Sequence, residues 1–292
     1  MSLIFLLACL PPAQRDSWEI LALLGNGQLF EARFTKGDTG LLKGQGHLRV
    51  NRWIHRTTPM SFHLDTPPSV SLLNDTEANF FTHRFYKEND IWNLQMRSEE
   101  FNASVYLRPL ASETILEQDD RWTVQVEPHL DAVGWTTAEE RSALLQGSAA
   151  IFKRGGHSLL QSERYVFIGF DSENYWGAEW SNQISFSWGS IDQVAYRDSD
   201  IEVQNHGHSV EIITAVQRVN FYPEKKIGED NQYKHLSWLE KNLSQPFVST
   251  ENRTLFNGYF VLESQSKENT LPGVLIYHGE NPPRIRRAKP KK

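Results

Sequence analysis

From residue 19 onward the chain alternates apolar and polar positions with a period of two. Ile20, Ala22 and Leu24 alternate up to Gly25-Asn26-Gly27, and Phe30, Ala32 and Phe34 resume after it. This is the pattern of a β-hairpin whose turn residues accept positive φ. A second hairpin follows from Trp92, Leu94 and Met96, the polar break Ser98-Glu99-Glu100, and then Phe101, Ala103, Val105 and Leu107. Further strands are predicted over residues 122–126, 165–170, 183–188, 201–203, 210–221, 255–262 and 274–277. In each, one set of side chains faces a core and the other set does not.

Two stretches read as helix. Residues 137–147 open on Thr137, carry early glutamates and Leu144-Leu145, and end on Gly147. Residues 231–243 place Tyr233, Leu236, Leu239 and Leu243 on one face, with Pro246 beyond. These are helix start and stop signals. The fold class is therefore all-β, with two antiparallel barrels or barrel-like sandwiches and one or two short accessory helices. The expected organisation is a signal-like segment and linker at 1–15 and a first β-domain at 16–135. A linker with a short helix at 136–156, a second β-domain at 157–283 and a basic tail at 284–292 complete it.

Composition strengthens the β reading. Among 292 residues the chain has nine Trp, sixteen Phe and nine Tyr, and flat rings pack well on pleated surfaces. Net charge is −6, and the nine tail residues carry six basic groups and no acidic one, so removing their +6 leaves −12 for the body. A body of that sign repels phosphates, which argues against nucleic acid as a partner.

Cys9 is the only cysteine, so neither a disulfide framework nor a Cys-based zinc site is expected. It follows an apolar run at 3–10 that is too short to span a bilayer. Leu6-Leu7-Ala8-Cys9 resembles a bacterial lipoprotein lipobox, which implies lipidation at Cys9, contact with a membrane surface and a place in the cell envelope, periplasmic or on the outer membrane. The alternative location is cytoplasmic, with residues 3–10 forming a buried N-terminal strand.

Local motifs for serine hydrolases, nucleotide binding and zinc proteases are missing from the sequence. His206-Gly207-His208 puts two imidazoles on one face without a third ligand nearby, so no metal is assigned, and no cofactor is expected.

The densest feature is Phe170-Asp171-Ser172-Glu173-Asn174-Tyr175-Trp176-Gly177, followed by Trp180, Phe186 and Trp188. Aromatic walls lower the local dielectric and raise the pKa of a carboxyl, which makes Glu173 and Asp171 candidates for a general acid. The candidate ligand-binding residues are Phe170, Asn174, Tyr175, Trp176, Trp180, Trp188 and Trp92. The same residues also suit a strand and turn whose rings pack a core while the two carboxylates stay solvated.

Ile168-Gly169-Phe170 through Trp176-Gly177 resembles the G-Y-H-D-H-N-W-G region of carotenoid 1,2-hydratases (hydroxyneurosporene synthases). Their double-lipocalin family also includes AttH-like envelope proteins and fungal cyclases. Trp188, Trp18 and Gly25-Asn26-Gly27 fit the same family. Aligned without gaps back from Trp176-Gly177, Glu173 falls on the family's acidic position. A one-residue insertion instead puts Asn174 on its Asn and leaves the acid between Asp171 and Ser172. Neither histidine of the pattern is present in either register. The resemblance implies a hydro-lyase or cyclase in which a buried acid protonates an isoprenoid or polyene double bond.

Three functional expectations result. The first is a lipocalin-like binding or carrier protein for an apolar, isoprenoid- or lipid-like molecule at the envelope. The second is the isoprenoid hydratase or cyclase using Glu173 or Asp171. The third is a carbohydrate-binding or glycan-active β-sandwich, which requires two carboxylates facing across an open groove lined by Trp.

Overall fold

The computed structural model describes residues 14–25, 27–39, 42–53, 60–111, 114–118, 122–138, 141–157, 163–231, 252–263, 268–279 and 281–285. Twelve strands form the first sheet. They are β1 (Gln14–Leu24), β2 (Leu29–Thr39), β3 (Leu42–Trp53), β4 (Met60–Thr66), β5 (Ser71–Leu73) and β6 (Glu77–Phe80), then β7 (His83–Glu88), β8 (Ile91–Arg97), β9 (Phe101–Pro109), β10 (Ile115–Gln118), β11 (Trp122–Ala138) and β12 (Arg141–His157). Nine strands form the second. They are β13 (Arg164–Phe170), β14 (Tyr175–Ser181), β15 (Ser185–Ile191), β16 (Val194–Asp198) and β17 (Glu202–Asn205), then β18 (Val210–Ile213), β19 (Arg218–Asn231), β20 (Asn252–Glu263) and β21 (Glu268–His278).

The first sheet runs β4-β3-β2-β1-β12-β11-β9-β8-β7-β6-β5, with β10 paired to β11. It curls until β5 returns beside β2 and β3, where Lys36 Nζ donates to the Ser71 carbonyl at 2.7 Å. The result is a nearly closed barrel, while the second sheet, ordered β16-β15-β14-β13-β21-β20-β19-β18-β17, forms a half-barrel. Ser185 Oγ on β15 donates to the carbonyl of Ile201, just before β17, at 3.0 Å and accepts its N–H at 2.9 Å. The curl of the first sheet covers edges that a flat open sheet would expose.

Two lipocalin-like barrel units therefore account for the described chain. Both hairpins read from alternation are present, as β1–β2 and β8–β9. The stretch 210–221 is two strands rather than one, because Thr214 turns the chain by accepting the Gln217 N–H at 3.1 Å.

The helix expected over residues 137–147 is not there. These residues end β11 and begin β12, which pair from Trp122–Gly156 to Ala138–Arg141. Leu145 faces the core and Leu144 faces out, which is strand periodicity. Pairing along most of β12 with β1 and with β11 outweighs the weak local helix signals. The segment 136–156 thus belongs to the first barrel instead of linking two units. The second expected helix, at 231–243, lies outside the described residues apart from Asn231, which ends β19. Cys9 and the apolar run 3–10 also lie outside them.

β1 and β12 are buried on both faces. Trp18, Ile20, Ala22, Ala149 and Ile151 point into the first barrel. Leu21, Leu23, Ala150 and Phe152 point the other way, onto Val166, Ile168, Phe186 and Trp188 of the second sheet. The second sheet's own interior holds Tyr165, Phe167, Trp176, Phe221, Phe260 and Tyr277.

Candidate functional site

The segment 170–188 is a hairpin and the strand after it, β13–β14–β15. Because successive side chains point to opposite faces, its aromatic residues do not form one wall. Trp176 turns into the half-barrel, with its ring 5.2 Å from Phe260. Phe170, Tyr175 and Trp188 turn toward the first barrel, where Trp188 stacks on Phe186 at 5.1 Å and meets Phe152 edge-on at 5.8 Å. Trp180 lies at the far end of β14 against Tyr165, at 5.7 Å. Trp92 is remote from all of these. It packs in the first barrel on Phe85 and Trp18, and its indole N–H donates to Glu127 at 2.7 Å.

The two candidate acids sit in the turn between β13 and β14. Glu173 is exposed. Asp171 Oδ1 accepts the backbone N–H of Glu173 at 2.7 Å and of Asn174 at 2.6 Å, while Oδ2 accepts the Asn174 amide at 2.8 Å. Asn174 in turn accepts the Asp192 N–H at 2.8 Å, which joins this turn to the next hairpin. Burial alone would raise the Asp171 carboxyl, but these hydrogen bonds and the nearby His129 outweigh it and hold it below its usual range. An ionised carboxylate that accepts donors from its own turn is a turn-former. It is not a proton donor at neutral pH.

Against this turn stands a histidine that the sequence reading did not single out. His129 sits on β11 where the register slips between Glu127 and Leu130, a bulge that re-aims its side chain. Its ring stacks on Phe170 at 5.7 Å and tilts against Tyr175 at 5.2 Å. It is 4% exposed, hydrogen-bonds the Asp171 backbone, and its Nε2 has no partner among the described residues. Burial lowers its pKa, and the neighbouring Asp171 and Asp131 only partly oppose that, so the ring is neutral near pH 7. Pro128 within a strand pattern marks a bulge, and that was the available signal.

A second arrangement surrounds Trp176. Gly258, Gly273 and Gly169 are direct neighbours across β20, β21 and β13; Gly169 is followed by Trp176 on β14 and Gly189 on β15. Each glycine leaves room that a methyl group would fill. A Cβ on Gly169 would lie 2.7 Å from the Phe260 ring, and one on Gly273 would overlap the same ring. Trp176 and Phe260 thus occupy a hollow cut into the sheet wall. The Trp176 indole is fully buried, and its N–H finds no acceptor among the described residues.

His206 and His208 are exposed in the turn between β17 and β18, where His206 Nε2 lies 3.1 Å from Glu211.

No family model matches the sequence, and no curated protein matches it. Solved structures do match the fold. A candidate AttH from Nitrosomonas europaea superposes with a TM-score of 0.65 at 10% identity, over 91% of this chain and 92% of its own. CghA gives 0.62 at 10% identity, over 92% and 88%. Kievitone hydratase from Nectria haematococca gives 0.57 at 9% identity, over 91% and 88%. The chain has the AttH-like double-lipocalin fold. The short islands around Trp176-Gly177 and Trp18 that resemble this family thus sit on the matching architecture. At such identities the likeness is one of fold, and the double-lipocalin scaffold by itself does not assign a reaction.

Proposed function

We propose that this double-lipocalin chain binds an apolar small molecule bearing a hydrogen-bond acceptor, held against Trp176 in the half-barrel. The observation that carries this reading is the Trp176 N–H, fully buried among aromatic rings with no acceptor among the described residues. An unmatched buried donor costs about 1 to 3 kcal/mol, which a ligand carbonyl or hydroxyl would recover. An isoprenoid- or lipid-like molecule with a carbonyl or hydroxyl group supplies both the apolar body and the acceptor, and the resemblance of residues 6–9 to a lipobox supports a carrier tethered at the bacterial envelope. Native mass spectrometry of protein purified from its own host tests the binding. A co-purified apolar molecule should be present and should be depleted in Trp176→Phe, which keeps the ring and deletes the donor. Equal loading of the two proteins would overturn the assignment. For the tether, Cys9→Ser should abolish palmitate incorporation.

A second reading, an isoprenoid hydratase or cyclase, is favoured by one observation. His129 presents a buried Nε2, unpartnered among the described residues, beside the ionised Asp171 and walled by Phe170 and Tyr175. A neutral imidazole is a proton acceptor, so His129 replaces Glu173 as the group to test and reverses the direction of proton transfer from donation to removal. His129→Gln should abolish turnover of a polyene or isoprenoid substrate while ligand loading persists. Full activity of that variant would remove His129 from the reaction.

A further inference from the structure

The outer face of the first barrel carries a groove of about 620 Å³ on β8, β9 and β11, away from both His129 and Trp176. Register fixes what it presents. Ser104 pairs with Gln95 on one side and Trp135 on the other, and Tyr106, two residues along, pairs with Val133. The two rings therefore stand diagonally on one face, with hydrogen-bonding side chains between and beside them. Trp135 is 46% exposed and Tyr106 50%, whereas Trp18, Trp92, Trp176 and Trp188 are almost completely buried. Two large rings set side by side and left half in water form a contiguous exposed patch of the kind that marks an interaction site.

We propose that this groove binds a neutral saccharide. Trp135 and Tyr106 stack on the C–H faces of the sugar rings, and Gln95, Asn102 and Ser104 meet its hydroxyls. The mixed lining selects this class. A wholly apolar ligand would bury those amides and hydroxyls without partners, at a cost. Arg97 and Glu99, of opposite sign, both line the groove, so it does not favour an anion or a cation. Glu99 is the only carboxylate among the lining residues, and glycosidic cleavage takes two. The site therefore holds a glycan without turning it over. An open groove with flat aromatic faces suits a β-linked glucan or xylan chain.

Affinity gel electrophoresis of the full chain with hydroxyethylcellulose, laminarin and soluble xylan tests this. At least one polymer should retard the protein, and high salt should not release it, because no net charge is involved. Trp135→Ala should abolish retardation with an unchanged melting temperature, since the ring is half exposed. Tyr106→Ala should weaken binding about tenfold and Tyr106→Phe should preserve it. Failure of all three polymers, equal binding by Trp135→Ala, or release by salt would each overturn the proposal. So would a concentration-dependent dimer that Trp135→Ala dissociates, since the face would then belong to a second copy of the chain.

Discussion

Arg253, on β20 of the second sheet, donates to Glu19, on β1 of the first, at 2.8 Å across the boundary between the two sheets. Arg253 is 1% exposed and also bonds Glu31. Glu19 further accepts Arg33 at 2.8 Å and Arg154 at 2.7 Å, and Arg154 passes the chain of ion pairs on to Glu179 at 2.9 Å, where Arg164 closes it at 2.8 Å. Three carboxylates and four guanidinium groups thus bracket the two barrels. Removing one partner from such a network leaves a buried charge uncompensated, so Arg253→Met should destabilise the protein by about 3 to 5 kcal/mol in urea denaturation at neutral pH. The Glu19→Gln/Arg253→Met double variant should recover part of that loss.

The same network sets an acid limit. Burial would raise the Glu19 carboxyl, but Arg33, Arg253 and Arg154 outweigh it and hold it well below the usual carboxylate range. A folded pKa below the unfolded one means that the stabilisation is complete above about pH 4.3, the ordinary Glu value, and is lost as pH falls below it. Chemical denaturation at stepped pH should show stability falling there, and Glu19→Gln should flatten that part of the curve.

Two buried histidines add a step at higher pH. Burial lowers both His83 and His129. The unfolded chain then binds more protons than the folded one, so stability is complete above about pH 6.5 and declines as pH falls through the folded values. In His129→Gln this step should shrink and His83 should account for the remainder, as read by the histidine C2–H resonances. An unchanged step would mean that His129 is not buried neutral.

The turn residues should separate cleanly. Glu173→Gln should leave the melting temperature unchanged, as is usual for an exposed site. Asp171→Ala, which loses hydrogen bonds to Glu173 and Asn174, should cost about 1 kcal/mol or more. A large effect at Glu173 would show that its carboxylate helps to hold the turn.

Gly177 tests the packing of Trp188. A Cβ there would overlap the Trp188 ring and lie 3.0 Å from the Phe167 carbonyl. Gly177→Ala should therefore destabilise by about 1 to 3 kcal/mol and shift the tryptophan fluorescence.

The alternation around Ile20 and Phe30 was enough to place β1 and β2, and the aromatic islands pointed to the fold. What alternation does not reveal is where the polar face goes. Glu19, Glu31 and Arg154 occupy the outward positions of their strands, which ordinarily meet water. Here Glu31 and Arg154 meet the polar face of the second sheet: Glu31 bonds Arg253, 222 residues along the chain, and Arg154 bonds Glu179, 25 residues along, while its other side holds Glu19. The site was misread for a related reason. Neighbours along 170–176 look like a single cluster in sequence, yet β14 sends Tyr175 and Trp176 to opposite faces. His129 joins Phe170 and Tyr175 only through packing between the sheets.

The glycines beside Trp176 have a consequence for how this sequence is free to drift. Any amino-acid substitution at Gly169, Gly258 or Gly273 adds at least a methyl group, and each would strike Phe260 or the neighbouring strand backbone. These positions have no conservative replacement. A saturation library selected for folded protein should return glycine at all three, and related sequences that have lost nearly everything else in common should still be legible through that gap in the wall.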